Sequence, residues 1–173
     1  MVTPRFDYIC RSFVQGMLDK ACAYRELELD AHQKARLKDS INVDVRKLGD
    51  MLIPDARYPR ISVTAAEKAA AIGADLRQQT WHSQKRTFDP KRAVFHYEHM
   101  TPVAQTVSAL IVADSAEKVL QIVSGLRLAW ITKEEDARLT ALGYRHKRPD
   151  PDAAYAEAGI TLLPPLPDPD RDR

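Results

Sequence analysis

Two long amphipathic stripes at the start of the chain constrain the fold more than any other feature. Phe6, Ile9, Cys10, Phe13, Val14, Met17, Leu18, Ala21 and Cys22 recur at the i, i+3, i+4, i+7 spacing of one helical face. Pro4 stands near the start of this stretch, where a missing N–H is harmless. A second stripe, Leu37, Ile41, Val45, Leu48 and Leu52, predicts a helix over residues 30–52. Its other face carries Lys34, Arg36, Lys38, Arg46 and Lys47, as the solvated side of a surface helix does. Residues 53–60 hold two prolines in a turn-rich run that breaks the helix. A third helix is expected behind Thr64, which forms a capping-box pattern with Glu67 ahead of an alanine-rich run and extends past Gly73 to about Trp81.

Strand signals are scarce. Ala93-Val94-Phe95 is a short apolar lead-in, and Leu126 to Ile131 is apolar apart from Arg127. Between them, Val103 to Ala113 and a segment capped by Asp114 or Ser115 and closed by Gly125 read as helices. Thr132 and Glu135 form a second capping box, opening a helix over residues 134–142 that Gly143 closes. A short helical turn is expected around Tyr155, and from Thr161 four prolines among Asp and Arg mark an extended tail. The chain therefore reads as a mainly helical α+β protein. It divides into a helical region (1–85), a small strand-and-helix unit with a helical insertion (86–160) and a proline-rich tail (161–173).

A length of 173 residues suffices for a sizeable core, and a net charge of +2 gives no whole-molecule field to attract a polyanion. Any affinity for nucleic acid must therefore be local. Lys85 and Arg86, followed by Lys91 and Arg92, are interleaved with Trp81, His82 and Phe88, and Arg145, Lys147 and Arg148 surround His146. The two cysteines, Cys10 and Cys22, lie on the first helical stripe and read as core. Asp7 and Arg11 interrupt the first apolar residues, and no run approaches the roughly 18 apolar residues of a membrane span. A cytoplasmic protein with no membrane partner is the expectation.

Chemistry concentrates in Phe95-His96-Tyr97-Glu98-His99-Met100-Thr101-Pro102, which holds two of the five histidines and a carboxylate within four residues at a strand end. A zinc deaminase also begins His-x-Glu, but needs a later Pro-Cys-x-x-Cys, and no cysteine follows Cys22. The zinc-protease motifs place their histidines on one helical face in patterns that this spacing, closed by Pro102, does not match.

Glu98-His99-Met100-Thr101-Pro102 resembles the opening of the HNH, or ββα-metal, nucleases: Asp/Glu-His-hydrophobic-x-Pro at a strand end, then a second strand leading into a helix that carries Asn or Asp. Leu128 to Thr132 followed by Lys133-Glu134-Glu135-Asp136 supplies such a strand and helix start, and Lys147-Arg148-Pro149 resembles the basic close of that helix. The resemblance implies N-terminal helices packed on a small ββα-metal-like unit, and a metal-dependent endonuclease hydrolysing phosphodiester bonds, with DNA favoured. It implies Glu98 and Asp136 as ligands of Mg²⁺ or Mn²⁺, with Glu134 or Glu135 as alternatives to Asp136. His99 would be the general base, and His96, on the strand face of Glu98, would orient the phosphate or add a ligand. Arg145, Lys147, Arg148, Lys85 and Arg86 would hold the nucleic-acid backbone. The rival reading is a non-catalytic interaction or regulatory module that binds protein or nucleic acid, with a homodimer formed through the first helix.

Overall fold

The computed structural model describes residues 4–51 and 59–165, with side chains from residue 8 onward. The expected turn at residues 53–58, Leu52 of the second stripe and residues 166–173 lie outside the described residues, as does the side chain of Phe6 of the first stripe. In chain order the elements are α1 (Pro4–Glu26), α2 (Ala31–Met51), β1 (Arg60–Ile61), α3 (Val63–Ala71), a 3-10 turn (Leu76–Gln78), α4 (Trp81–Thr87), β2 (Phe95–His99), α5 (Val103–Val112), α6 (Ala116–Ser124), β3 (Leu128–Thr132), α7 (Lys133–Ala141) and α8 (Pro151–Glu157). The protein is mainly helical α+β. Among the described residues no helix is long and apolar enough to cross a membrane.

The chain forms two compact units, residues 1–52 with 102–126 and residues 53–101 with 127–173. In the first, the predicted stripes are the buried faces: Cys10, Val14, Met17 and Ala21 of α1 are buried, as are Ile41, Val45 and Leu48 of α2. α5 and α6 complete this core with Val107, Leu110, Val119 and Val123. Lys20 pairs with Asp44 between α1 and α2. The Arg25 guanidinium donates to the carbonyls of Ile111 and Ala113 at 2.6 and 2.7 Å, satisfying groups that the end of α5 leaves unpaired. Ser115, not Asp114, caps α6 by accepting from the Lys118 N–H.

The second unit is built on a three-stranded sheet of order β1-β3-β2, with β1 parallel and β2 antiparallel to β3. All five residues of β3 are buried, as its central position requires. The expected division at residue 85 is corrected here. β1, α3 and α4 belong with the sheet, because Arg60 and Ile61 pair with Ala129 and Trp130, and Gln84 of α4 donates to the Phe95 carbonyl at 2.8 Å. The expected insertion at 102–126 belongs to the helical unit instead. The expectation of an extended tail from Thr161 is corrected for its first residues. The Leu163 N–H donates to Ile61 and the Thr161 carbonyl accepts from Val63, at 2.8 and 2.9 Å, fastening this stretch to β1.

The third helix differs from its expected bounds at both ends. Ser62, two residues before Thr64, is the cap, its hydroxyl accepting from the Ala65 N–H. α3 ends at Ala71 because the chain turns through Gly73 at φ +67°, a left-handed conformation that stops a helix. Thr80 then caps α4 in a capping box with Ser83.

β2 is launched by one side chain. The buried Asp89 carboxylate accepts from the N–H groups of Ala93, Val94 and Phe95 at 2.9, 3.2 and 3.0 Å, and from the Gln84 amide at 2.9 Å. Burial alone would raise its carboxyl pKa, but these hydrogen bonds outweigh it and hold the group below its ordinary value. Asp89→Ala should cost about 3 kcal/mol in urea unfolding, since it strands several inward-facing donors. Because the folded pKa is depressed, the part of this contribution that depends on ionisation is complete above roughly pH 4 and fades as pH falls through the folded value. The gap between wild-type and variant stabilities should therefore narrow in acid.

Candidate metal centre

Residues of β2 alternate between two environments. Cross-strand partners share a face, so His96 (opposite Ile131) and Glu98 (opposite Ala129) lie on the side where Ala129 and Ile131 pack with Leu139 of α7 and Ala154 and Tyr155 of α8. Phe95, Tyr97 and His99 are buried on the opposite face. There the Tyr97 ring sits 4.8 Å from Trp130 and 6.5 Å from His99, and Phe88 packs on Phe95 and Trp130.

On the first face, His96, Glu98 and Asp136 each offer one ligand atom, all within 4.8 Å of one another. The capping box at Thr132 sets this up by starting α7 directly at the end of β3, which carries Asp136 back beside β2. His96 Nε2 lies 2.7 Å from Glu98 Oε2 and 3.8 Å from Asp136 Oδ1. Lys133 Nζ stands 3.0 Å from the other ring nitrogen, Nδ1. An ammonium can only donate, so Nδ1 accepts and the imidazole proton resides on Nε2, which donates to Glu98.

The remaining oxygen of Glu98, Oε1, meets the Arg148 guanidinium at 2.6 Å. Arg148 is 2% exposed and also donates to the carbonyls of Tyr144, His99 and Met100 at 2.9, 3.2 and 3.1 Å. Burial would raise the Glu98 carboxyl pKa, but the His96 hydrogen bond and the Arg148 charge prevail and hold it below its usual value.

Three expectations are corrected by these placements. His99 as general base beside Glu98 fails on strand geometry, because adjacent residues of a strand point to opposite faces. Arg148 as a phosphate contact fails because its guanidinium lies inside, engaged by Glu98 and three carbonyls. Glu134 and Glu135 as replacements for Asp136 fail because both are engaged elsewhere. Glu135 is 1% exposed and accepts from the Ser62 hydroxyl and the Thr132 N–H, both at 2.7 Å, while the exposed Glu134 meets Lys68 at 3.0 Å. Arg145, Lys147, Lys85 and Arg86 are exposed. Arg145 and Lys147 ride on the loop that Arg148 anchors, within about 10 Å of chain from it.

One imidazole nitrogen and two carboxylates form a mixed N/O donor set that suits a divalent ion such as Mn²⁺ better than the all-oxygen preference of Mg²⁺. Beside them the Tyr155 hydroxyl is buried with no hydrogen-bond partner among the described residues. Its ring lies 5.8 Å from the Arg148 guanidinium, and burial, then the Glu98 charge, push its pKa upward. The donor set thus suits a hydrated cation, and the orphaned phenol is the kind of group that a metal-bound water could satisfy. Sequence reasoning missed Lys133 and Tyr155. Tyr155 carried no signal, but Lys133, three residues before Asp136, stood one helical turn from it.

Compared with protein-family models, curated proteins and solved structures, the chain gives no match.

Arg148→Met should cost about 3–5 kcal/mol in chemical denaturation, because it leaves the Glu98 charge buried beside an imidazole alone. Adding Glu98→Gln should restore part of that loss. Equal costs for the single and double variants would show that the pair is not what holds the strand end.

Proposed function

We propose that the sheet unit is a metal-dependent endonuclease acting on nucleic-acid phosphodiester bonds, with His96, Glu98 and Asp136 as the residues that hold its cation. The observation that carries this reading is the convergence of those three ligand atoms on one face, from two elements far apart in sequence. Glu98 is oriented by Arg148, and Asp136 by its position one turn into a capped helix. To act as a ligand through Nε2, a neutral His96 would carry its proton on Nδ1 instead, and the Lys133 ammonium would turn away from that nitrogen. Held by these three residues, a divalent cation would supply polarisation of the scissile phosphate and charge neutralisation at the leaving oxygen. Lys133, and the exposed Arg145 and Lys147, contribute positive charge for the flanking phosphates. No role at the cation is given to His99.

The reading is tested with supercoiled plasmid DNA and Mn²⁺ or Mg²⁺. Nicked and linear products are expected, Mn²⁺ being the better activator, with EDTA abolishing them. Asp136→Asn and His96→Ala should each lower the rate at least ~100-fold, as removal of an essential ligand does. Salt-sensitive DNA binding with no cleavage in either metal would favour the non-catalytic module. Cleavage that survives both substitutions would exclude this centre.

A further inference from the structure

α4 and the turn behind it form a surface that the metal centre does not use. The α4 residues Trp81, His82, Lys85 and Arg86 lie on one arc of the helix, while Gln84 points inward to the sheet. The following turn adds Lys91 and Arg92. Residues 81–92 contain a single carboxylate, Asp89, and it is buried under backbone N–H groups. The charge this segment shows to solvent is therefore wholly positive. Elsewhere in the same unit Lys68, Arg127 and Arg148 each meet a carboxylate. Among the described residues, Lys85, Arg86, Lys91 and Arg92 form no ion pair.

The aromatic part is built, not incidental. Among the described residues Arg92 alone of the non-glycines takes a positive φ, +51°, a conformation glycine or asparagine would hold at lower cost. With arginine there, the guanidinium carbon lies 3.6 Å over the Trp81 ring and the side chain donates to the Trp81 carbonyl at 3.1 Å. His82 meets the indole edge-on at 5.2 Å. Trp81 nevertheless remains 40% exposed, whereas Trp130 is fully buried. A guanidinium layered on an indole is a ledge to which an unpaired base can add a further layer, and bases of any identity present a π-face.

We propose that this face binds single-stranded nucleic acid, with Trp81 and Arg92 stacking a base and Lys85, Arg86 and Lys91 neutralising phosphates. An exposed stack selects unpaired bases, because a duplex keeps its bases stacked on one another. The inference rests on the proposed function only for the class of polymer and uses no residue of the metal centre.

The test is run in EDTA, where the cation site and cleavage play no part. A fluorescein-labelled oligothymidylate of roughly 20 nucleotides, longer than one ~4–16-nucleotide site, is titrated with the full-length protein. Tight binding is expected, with Trp81 shielded from acrylamide, since the buried Trp130 does not report. Lys85→Ala with Arg86→Ala should reduce the salt slope by about 1.4, or ~0.7 per lost phosphate contact. Trp81→Ala should weaken binding roughly tenfold or more, and Trp81→Phe, which keeps an aromatic face, should recover most of it. The inference is overturned if duplex of the same length or polyglutamate binds as tightly, if acrylamide quenching is unchanged in the complex, or if Trp81→Ala binds normally. Strand binding with no plasmid cleavage in Mn²⁺ would leave this surface standing and remove only the nuclease reading.

Discussion

The sheet unit depends on the ion pair between Arg148 and Glu98. A guanidinium 2% exposed is costly to bury unless it is paired and hydrogen-bonded, and here a carboxylate oxygen and three backbone carbonyls engage its Nε and Nη1. Those partners come from β2, from the two residues at its end and from the close of α7. One side chain thus ties the strand end to the loop that follows α7 and to the Tyr155 ring of α8. The apolar cluster of Ala129, Ile131, Leu139 and Tyr155 supplies most of the burial, but it is non-directional. The ion pair fixes which way Glu98 points, and with it the position of His96.

The two faces of β2 then do different work. Phe95 and Tyr97 pack with Trp130 and Phe88 into an aromatic layer, which gives the strand a rigid bed. The polar face is half-buried, close enough to solvent for an ion or phosphate to reach and dry enough to strengthen charge interactions. Asp89 determines where this alternation begins, since its three N–H bonds set the first residue of the strand. A shift by one residue would exchange the faces and bury His96 and Glu98 among aromatics.

Much of this was legible in the chain. The stripes of α1 and α2, the capping box at Thr132, the short strands and the helix around Tyr155 follow from periodicity and capping chemistry, because those rules act within a few residues. The convergence of residues 98 and 136 was reached only through a family resemblance. The error over His99 was avoidable, for Phe95, Tyr97 and His99 share a parity, and the first two are plainly core. Arg148 is different in kind. Among Arg145, Lys147 and Arg148 nothing local distinguishes the one that turns inward, because its burial is decided by a carboxylate fifty positions earlier in the chain. The parallel pairing of β1 with β3 was hidden for the same reason: a two-residue strand carries no periodicity, and its partner is remote.

The charges around the candidate centre also bear on what it can hold. Glu98 and Asp136 carry two negative charges, and Arg148 and Lys133 stand against them with two positive ones. A divalent cation approaching this cluster meets almost no net attraction, so geometry and donor chemistry must supply its affinity. A phosphate arriving alone meets two cations but also the carboxylates. Together, cation and phosphate complement the cluster better than either does alone, because each supplies the charge that the other lacks. A nuclease working as proposed would gain from this, since its centre would assemble only where a phosphodiester is present, with the exposed Arg145 and Lys147 on the adjoining loop adding positive charge nearby. The Arg148 pair is compatible with such a site, because it engages one oxygen of Glu98 and leaves the other on the side of His96 and Asp136.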